Sequence, residues 1–386
     1  MQATRLSSPI RSNKRPASAS PLTPKNHNKR SCTQLLSPSK WNDEKAQSPI
    51  KPSAPNKHTI LSPVEKKHNK NIMIHARTPN GSPVIGKKTS NISSTILADI
   101  YKNPHKHLIK AVGIHRESKE VCQWFFKKEK YSMDRLIKPI SAYISQSNET
   151  NDSIQHLLIF LAKRTHELLE VIHHLHETVG YIHQDIKPAN LVLDSKQSLK
   201  LIDFDMALTT NASNQVSGGT PAYIAPERAA QLNNNVDLKK SDVWSIGATI
   251  FHLVTGTTTL DTIKKLSNYT TTTKTLNDTR KLYNHHNLQT EWISSEKLSI
   301  QHDEIKLFIT TTLGPLLKID PTKRASITEA KDIINTYLTN HKSIQIDNDD
   351  IINKLETLME NKLTEASLID IISTQYESTE PLNEGA

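Results

Sequence analysis

The sequence predicts an α+β fold in which a small β-rich N-terminal part precedes a larger helical C-terminal part, and three observations carry that prediction. Apolar stretches at 71–74 and 83–87 flank Asn80-Gly81, a dipeptide that closes tight hairpins because both residues accept left-handed backbone. Leu157, Leu158, Leu161, Leu168, Leu169, Ile172 and Leu175 recur at helical spacing, so a long helix is expected over residues 153–181. Leu191-Val192-Leu193 and Leu199-Lys200-Leu201-Ile202 then flank the turn-like segment 194–198, which predicts a second small hairpin.

The remaining elements follow in order. Residues 1–56 are rich in Ser, Pro, Lys, Arg and Asn and lack periodic apolar positions, so they bury too little to offset ordering entropy and read as a disordered basic tail. Leu108–Gly113 and Val121–Phe125 read as two further strands, leading to a connecting segment at Phe126–Glu129. The threonine-rich stretch Thr255–Leu298 reads as solvated loop, with a substrate or partner platform as the sharper alternative. Residues 341–386 are acidic with apolar Ile351, Ile352, Leu355 and Leu358, so they form either a helical extension packed on the domain or a solvated tail.

Composition narrows the class. A chain of 386 residues with 35% hydrophobic and 5% aromatic content has room for one domain plus tails and hardly for a second large core. Cys32 and Cys122 offer neither a disulfide framework nor a zinc pattern, which points to a reducing, intracellular compartment. No apolar run is long enough to span a bilayer and no secretory signal opens the sequence, so no membrane role is expected. The charge of +10 is concentrated toward the N-terminus, where Lys14-Arg15 and Lys25–Arg30 resemble a bipartite nuclear import signal. That implies an import receptor as partner and a location in nucleus or cytoplasm. Nucleic-acid binding ranks below import because no aromatics interleave the basic residues. The tail also carries Ser8-Pro9, Ser20-Pro21, Thr23-Pro24, Ser37-Pro38 and Ser48-Pro49, either phosphorylation sites or plain low-complexity linker.

The chemistry lies in His183-Gln184-Asp185-Ile186-Lys187-Pro188-Ala189-Asn190 and Leu201-Ile202-Asp203-Phe204-Asp205. Asp185 is a carboxylate in a short loop, placed to orient an attacking hydroxyl and accept its proton, and Lys187 can neutralise charge on a migrating phosphoryl group. Asn190 and Asp203 are hard oxygen donors suited to magnesium. His166, His173, His174 and His176 match no zinc spacing and read as ordinary helix residues.

These segments resemble the catalytic loop and metal-binding turn of the eukaryotic-type protein kinase superfamily. Gly218–Glu227 resembles the substrate-docking segment that ends in Ala-Pro-Glu, Ser241–Gly247 the start of the large buried helix, and Asp320–Arg324 the arginine motif near the domain end. The resemblance implies a two-lobed protein-kinase-like fold over residues 57–340, with ATP and Mg2+ or Mn2+ as cofactors and a protein substrate. It implies a buried Glu227–Arg324 ion pair, Asp242 bound to catalytic-loop backbone, and Thr220 bridging Asp185 and Lys187 rather than serving as a phosphorylation site. Lys187 with Thr220 is the pattern of enzymes that phosphorylate serine or threonine.

The N-terminal lobe departs from the family. No G-x-G-x-x-G precedes the catalytic loop in a chain with only 10 glycines, so another stretch, such as 62–70, must cover the phosphates. Val84-Ile85-Gly86-Lys87 resembles the strand bearing the nucleotide-anchoring lysine, which makes Lys87 the candidate. Ile96 stands where its glutamate partner belongs, and Asp99 is the only nearby acid, one that needs a displaced helix to reach Lys87. Gln184 replaces the usual arginine, so activation by loop phosphorylation is not expected. Asp205 replaces the glycine of the metal-binding turn and either tunes the metal or fills the turn. Two functions follow: an active, divergent serine/threonine kinase, or a pseudokinase scaffold that binds nucleotide and partners without transfer.

Overall fold

The computed structural model describes residues 64–360 apart from 67–72, 79, 117–120, 146–150, 212–217, 231–236, 272–274, 286–291, 295–297 and 299. The expectations for the tail 1–56, for Lys14–Arg30, for most of 62–70 and for 361–386 lie outside the described residues.

The small lobe consists of β1 (Val64–Lys66), β2 (Met73–Arg77), β3 (Pro83–Ser90), α1 (Asn91–Lys102), β4 (Ala111–Arg116) and β5 (Val121–Lys127). Its strands form one antiparallel sheet in the order β1-β2-β3-β5-β4. The predicted hairpin is β2–β3, closed by Thr78 N donating to Ser82 O (2.8 Å) with Gly81 at φ 82°. Gly86 faces Phe125 across the β3–β5 ladder, and a Cβ there would meet Phe125 Cε1 at 2.9 Å. Helix α1 lies on the sheet through Leu97 and Ile100, Trp124 Nε1 donates to Ser94 Oγ (3.1 Å), and Tyr101 stacks on Trp124. It stops just ahead of Pro104, which disfavours helical backbone at the preceding residue. Residues 108–110, expected as strand, instead cross to the large lobe, where Ile109 N donates to Leu201 O (3.1 Å) and Leu201 N to His107 O (2.8 Å).

The large lobe opens with β6 (Tyr131–Ser132) and α2 (Ile137–Ser145), followed by α3 (Asn151–His174). Helix α3 is shorter than the predicted span because residues 175–179 widen into a π-turn that ends at Gly180, left-handed at φ 83°. Strands β7 (Tyr181–Ile182), β8 (Leu191–Leu193), β9 (Leu199–Leu201) and β10 (Leu208–Thr209) carry the catalytic segment, and β8–β9 is the second predicted hairpin. After α4 (Pro226–Ala230) comes α5 (Leu238–Thr255), capped by Asp237 and buried from Ser241 through Phe251 on every face, with Ser241, Asp242 and Ser245 hydrogen-bonded as buried polar groups must be.

The threonine-rich stretch corrects the loop expectation. It holds α6 (Thr259–Leu266) and α7 (Leu276–Tyr283), each started by a threonine cap, with Thr275 and Asp278 forming a capping box. Thr258 and Thr275 serve there as N-caps that supply oxygen to orphan backbone amides. The lobe continues with α8 (Asp303–Phe308) and α9 (Ile327–Asn340). Residues 348–360 form α10, which buries Ile351, Ile352 and Leu355. Glu356 on α10 accepts hydrogen bonds from Lys130 Nζ (2.7 Å) and the Tyr131 hydroxyl, tying the C-terminal helix to the segment that joins the lobes. No helix among the described residues is long and apolar enough to cross a membrane.

Candidate active site

A cleft of about 1120 Å³ opens between the lobes, bounded by Ile85 and Lys87 on the sheet side, Phe126 near the end of β5, where the expected connecting segment is still strand, and Val192 and Asp203 below. The catalytic loop, which contributes Ala189 to the lining, runs from β7 to β8 with Gln184 in left-handed backbone at φ 69°. Such a conformation costs about 1–3 kcal/mol in a non-glycine residue and persists where neighbours over-determine it. Asp242, fully buried on α5, does so: its carboxylate accepts from His183 N and Gln184 N, both at 2.9 Å. His176 Nε2 lies 2.8 Å from the same carboxylate, so this helix histidine has a buried polar role that its spacing did not reveal. Burial alone would raise the Asp242 pKa, but the His176 contact and the backbone donors hold it below the usual carboxylate range. His183 accepts from Asp185 N through Nδ1 (3.3 Å) and therefore donates through Nε2 to Ile202 O (3.2 Å), linking the loop to the metal-binding turn.

Asp185, Lys187 and Thr220 meet at one point. The Thr220 hydroxyl donates to Asp185 Oδ1 (2.7 Å), while Lys187 Nζ donates to Asp185 Oδ2 (2.6 Å) and to Thr220 Oγ1 (2.9 Å). Asn190 Nδ2 donates to Asp185 O (2.7 Å) and Oδ2 (3.2 Å), which leaves its carbonyl oxygen as the atom for a cation.

Across the cleft Lys87 Nζ lies 2.6 Å from Asp203 Oδ1 and 2.7 Å from Asp205 Oδ2. Burial would lower the ammonium pKa, but the two carboxylates outweigh it and hold Lys87 above its ordinary value. Asp203 moves the opposite way: burial would raise it, and Lys87 draws it below the carboxylate norm. The left-handed residue of this turn is Asp203 (φ 66°), not Asp205. Asp203 and the Asn190 carbonyl suit a hard divalent cation. Among the described residues no three His, Cys, Asp or Glu side chains gather closely enough to hold one unaided, so nucleotide oxygens would complete its shell.

One expected contact is not formed. Asp99 accepts from the Tyr181 hydroxyl (3.0 Å) and from Lys102 (3.0 Å), and α1 presents Leu97 to the cleft. The helix is held on the sheet by Ser94, Leu97 and Tyr101, which fixes its rotation and leaves Asp99 on the flank away from Lys87.

The implied ion pair of the large lobe is present: Arg324 grips Glu227 in bidentate fashion at 2.6 and 2.8 Å, with Ser241 Oγ donating to Glu227 at 2.9 Å. Sequence reasoning missed Arg228. Only 1% exposed, it donates to Gln184 O (2.9 Å), Gln184 Oε1 (2.8 Å) and Gly218 O (2.9 Å), stapling the loop at Gln184 to the segment that carries Gly218 and Thr220. The signal was the pairing of a glutamine in one motif with an arginine in another, which no single stretch displays.

The protein kinase domain family matches residues 87–334, well over half of the chain. The chain belongs to the protein kinase domain family. The kinase match begins at Lys87 itself, so β1 and β2 fall outside it. A dual specificity mitogen-activated protein kinase kinase, jkk-1 of Caenorhabditis elegans, is 40% identical over 91 residues, covering 23% of this chain and 21% of that protein. CBL-interacting protein kinase 11 of Oryza sativa subsp. japonica is 38% identical over 96 residues, or 24% of this chain and 18% of the relative. Citron Rho-interacting kinase of Mus musculus is 34% identical over 133 residues, 31% of this chain and 6% of that protein. The chain thus spans about a fifth or less of the length of these relatives.

Proposed function

We propose that this kinase-family chain is an active serine/threonine protein kinase that transfers the γ-phosphate of ATP to a protein hydroxyl. The observation that carries the reading is the three-way contact of Asp185, Lys187 and Thr220, because it holds the Asp185 carboxylate in one orientation on the loop whose Ala189 lines a nucleotide-sized cleft. In this reading Asp185 orients the acceptor hydroxyl and takes its proton. Thr220 fixes the rotation of that carboxylate, and Lys187 neutralises charge that builds on the migrating group. Lys87 anchors the nucleotide phosphates. Magnesium, held by Asn190 and Asp203, would supply charge neutralisation at the phosphates. Catalysis of this kind is positioning and electrostatics, so a preorganised loop is what the chemistry asks of the protein. Lys187 with Thr220 supports serine or threonine as acceptor.

Transfer of radiolabel from ATP to serine, threonine and tyrosine peptides, in magnesium and in manganese, tests the reading. Labelling of serine or threonine peptides and not of tyrosine peptides, lost in Asp185→Ala and Asp203→Ala, is expected. Label persisting in both variants would overturn it, and nucleotide binding without transfer would make the chain a scaffold. The clusters Lys14-Arg15 and Lys25–Arg30 support nuclear entry through an import receptor. A fluorescent fusion should lose nuclear accumulation when Lys14, Arg15, Lys29 and Arg30 are neutralised.

A further inference from the structure

The α1 sequence NISSTILADIYK contains one acid, Asp99, and that acid is committed to Tyr181 and Lys102. The face α1 turns to the cleft carries Leu97. A lysine that is 13% exposed, on the central strand β3, therefore takes its counter-charge from somewhere other than the helix beside it. Among the described residues, the carboxylates within its reach come from the turn on the opposite wall, Asp203 at 2.6 Å and Asp205 at 2.7 Å.

We infer that Asp205 is the positioning residue for Lys87, doing from the metal-binding turn what no acid on α1 can do. The inference rests on the nucleotide-binding half of the proposed function. Its logic is division of labour. With a divalent cation held by Asp203, part of that carboxylate's charge would be offset, and Asp205 would remain the counter-ion that keeps the Lys87 ammonium extended across the cleft. An unpaired carboxylate beside triphosphate would repel it, so Asp205 is compatible with a bound nucleotide only when matched by Lys87 or the cation. The consequence is structural as well as chemical: the anchor is set by the contact of β3 with the turn after β9 and does not depend on where α1 sits.

Binding of a fluorescent ATP analogue to the full chain, followed by anisotropy in EDTA and in magnesium, decides the matter without requiring transfer. Asp205→Asn and Asp205→Gly should each weaken binding by about tenfold, within the range of couplings measured between residues in contact. Asp205→Glu should recover most of the loss. In a Lys87→Met background the loss caused by Asp205→Asn should vanish in magnesium and turn into a gain in EDTA, where the carboxylate is unmatched, a non-additivity that a merely structural role for Asp205 would not produce. Where transfer is measurable, the loss should appear in KM for ATP more than in kcat. Unchanged or tighter binding in Asp205→Asn and Asp205→Gly would overturn the inference, as would an equal loss in the Lys87→Met background. Wild-type protein that binds the analogue but transfers no phosphate would refute the kinase reading alone.

Discussion

The two walls of the cleft hold their charges in opposite ways. On the catalytic-loop wall Asp242, Glu227, Arg324 and Arg228 are all at most 4% exposed, and each is matched by backbone donors or acceptors or by a buried partner. On the sheet wall Lys87 is matched, among the described residues, by acids from across the cleft, Asp203 and Asp205 at 35% and 30% side-chain exposure. Buried charges locked in a network hold a loop whatever the other lobe does. A charge matched across a gap holds only while the gap is closed, so the small lobe's contribution to the site depends on lobe closure.

The contrast can be broken most forcefully at the buried pair. Glu227→Ala strands the Arg324 guanidinium in the interior and should cost about 3–5 kcal/mol, read as a lowered urea midpoint; a loss under 1 kcal/mol would mean the wall is not locked as described. Next in size, Asp185→Asn should lower kcat by at least about a hundredfold, or about 2.7 kcal/mol, with nucleotide affinity nearly unchanged. Lys87→Met should do the reverse and act mainly on affinity, and a single variant that moved both parameters equally would erase the distinction between the walls. A smaller effect belongs to Thr275→Ala, which removes the capping box of α7 and should cost about 1 kcal/mol, measurable by thermal denaturation.

The smallest effect at neutral pH is the titration of Asp242. Its folded pKa lies below the unfolded value of about 3.9, so its contribution is complete above that pH and is lost as the pH falls toward the folded value. The urea midpoint of wild type should therefore fall below about pH 4. Asp242→Asn should flatten that part of the curve, and an unchanged slope in the variant would assign the acid sensitivity to other carboxylates.

Much of the loop wall was legible because its chemistry is local. Asp185, Lys187, Asn190 and Asp203 sit within one hairpin and its flanks, so their spacing along the chain nearly fixes their spacing in space. Thr220 and the Glu227–Arg324 pair came from the family resemblance, and the geometry agrees with it. The sheet wall was less legible. Lys87 could be placed by its hairpin, but its partner could not, since Asp99 and Asp205 are both short acids near motif positions and only the rotation of α1 separates them. The threonine-rich segment misled because threonine serves loops and helix caps alike, and a cap is recognised only once the following helix has packed.

What the amino-acid order determined alone was the set of short-range devices: the Asn80-Gly81 turn, the long apolar-striped helix, the hairpin around the catalytic loop and the order of the reactive groups. Tertiary packing alone decided which acid meets Lys87, that Arg228 reaches Gln184, that His176 backs Asp242 and that Glu356 ties α10 to Tyr131. The physical reason is range. Turn and helix preferences act over a few residues of backbone, whereas a charged side chain takes whichever partner the burial of apolar faces brings within about 4 Å, however far along the chain that partner lies.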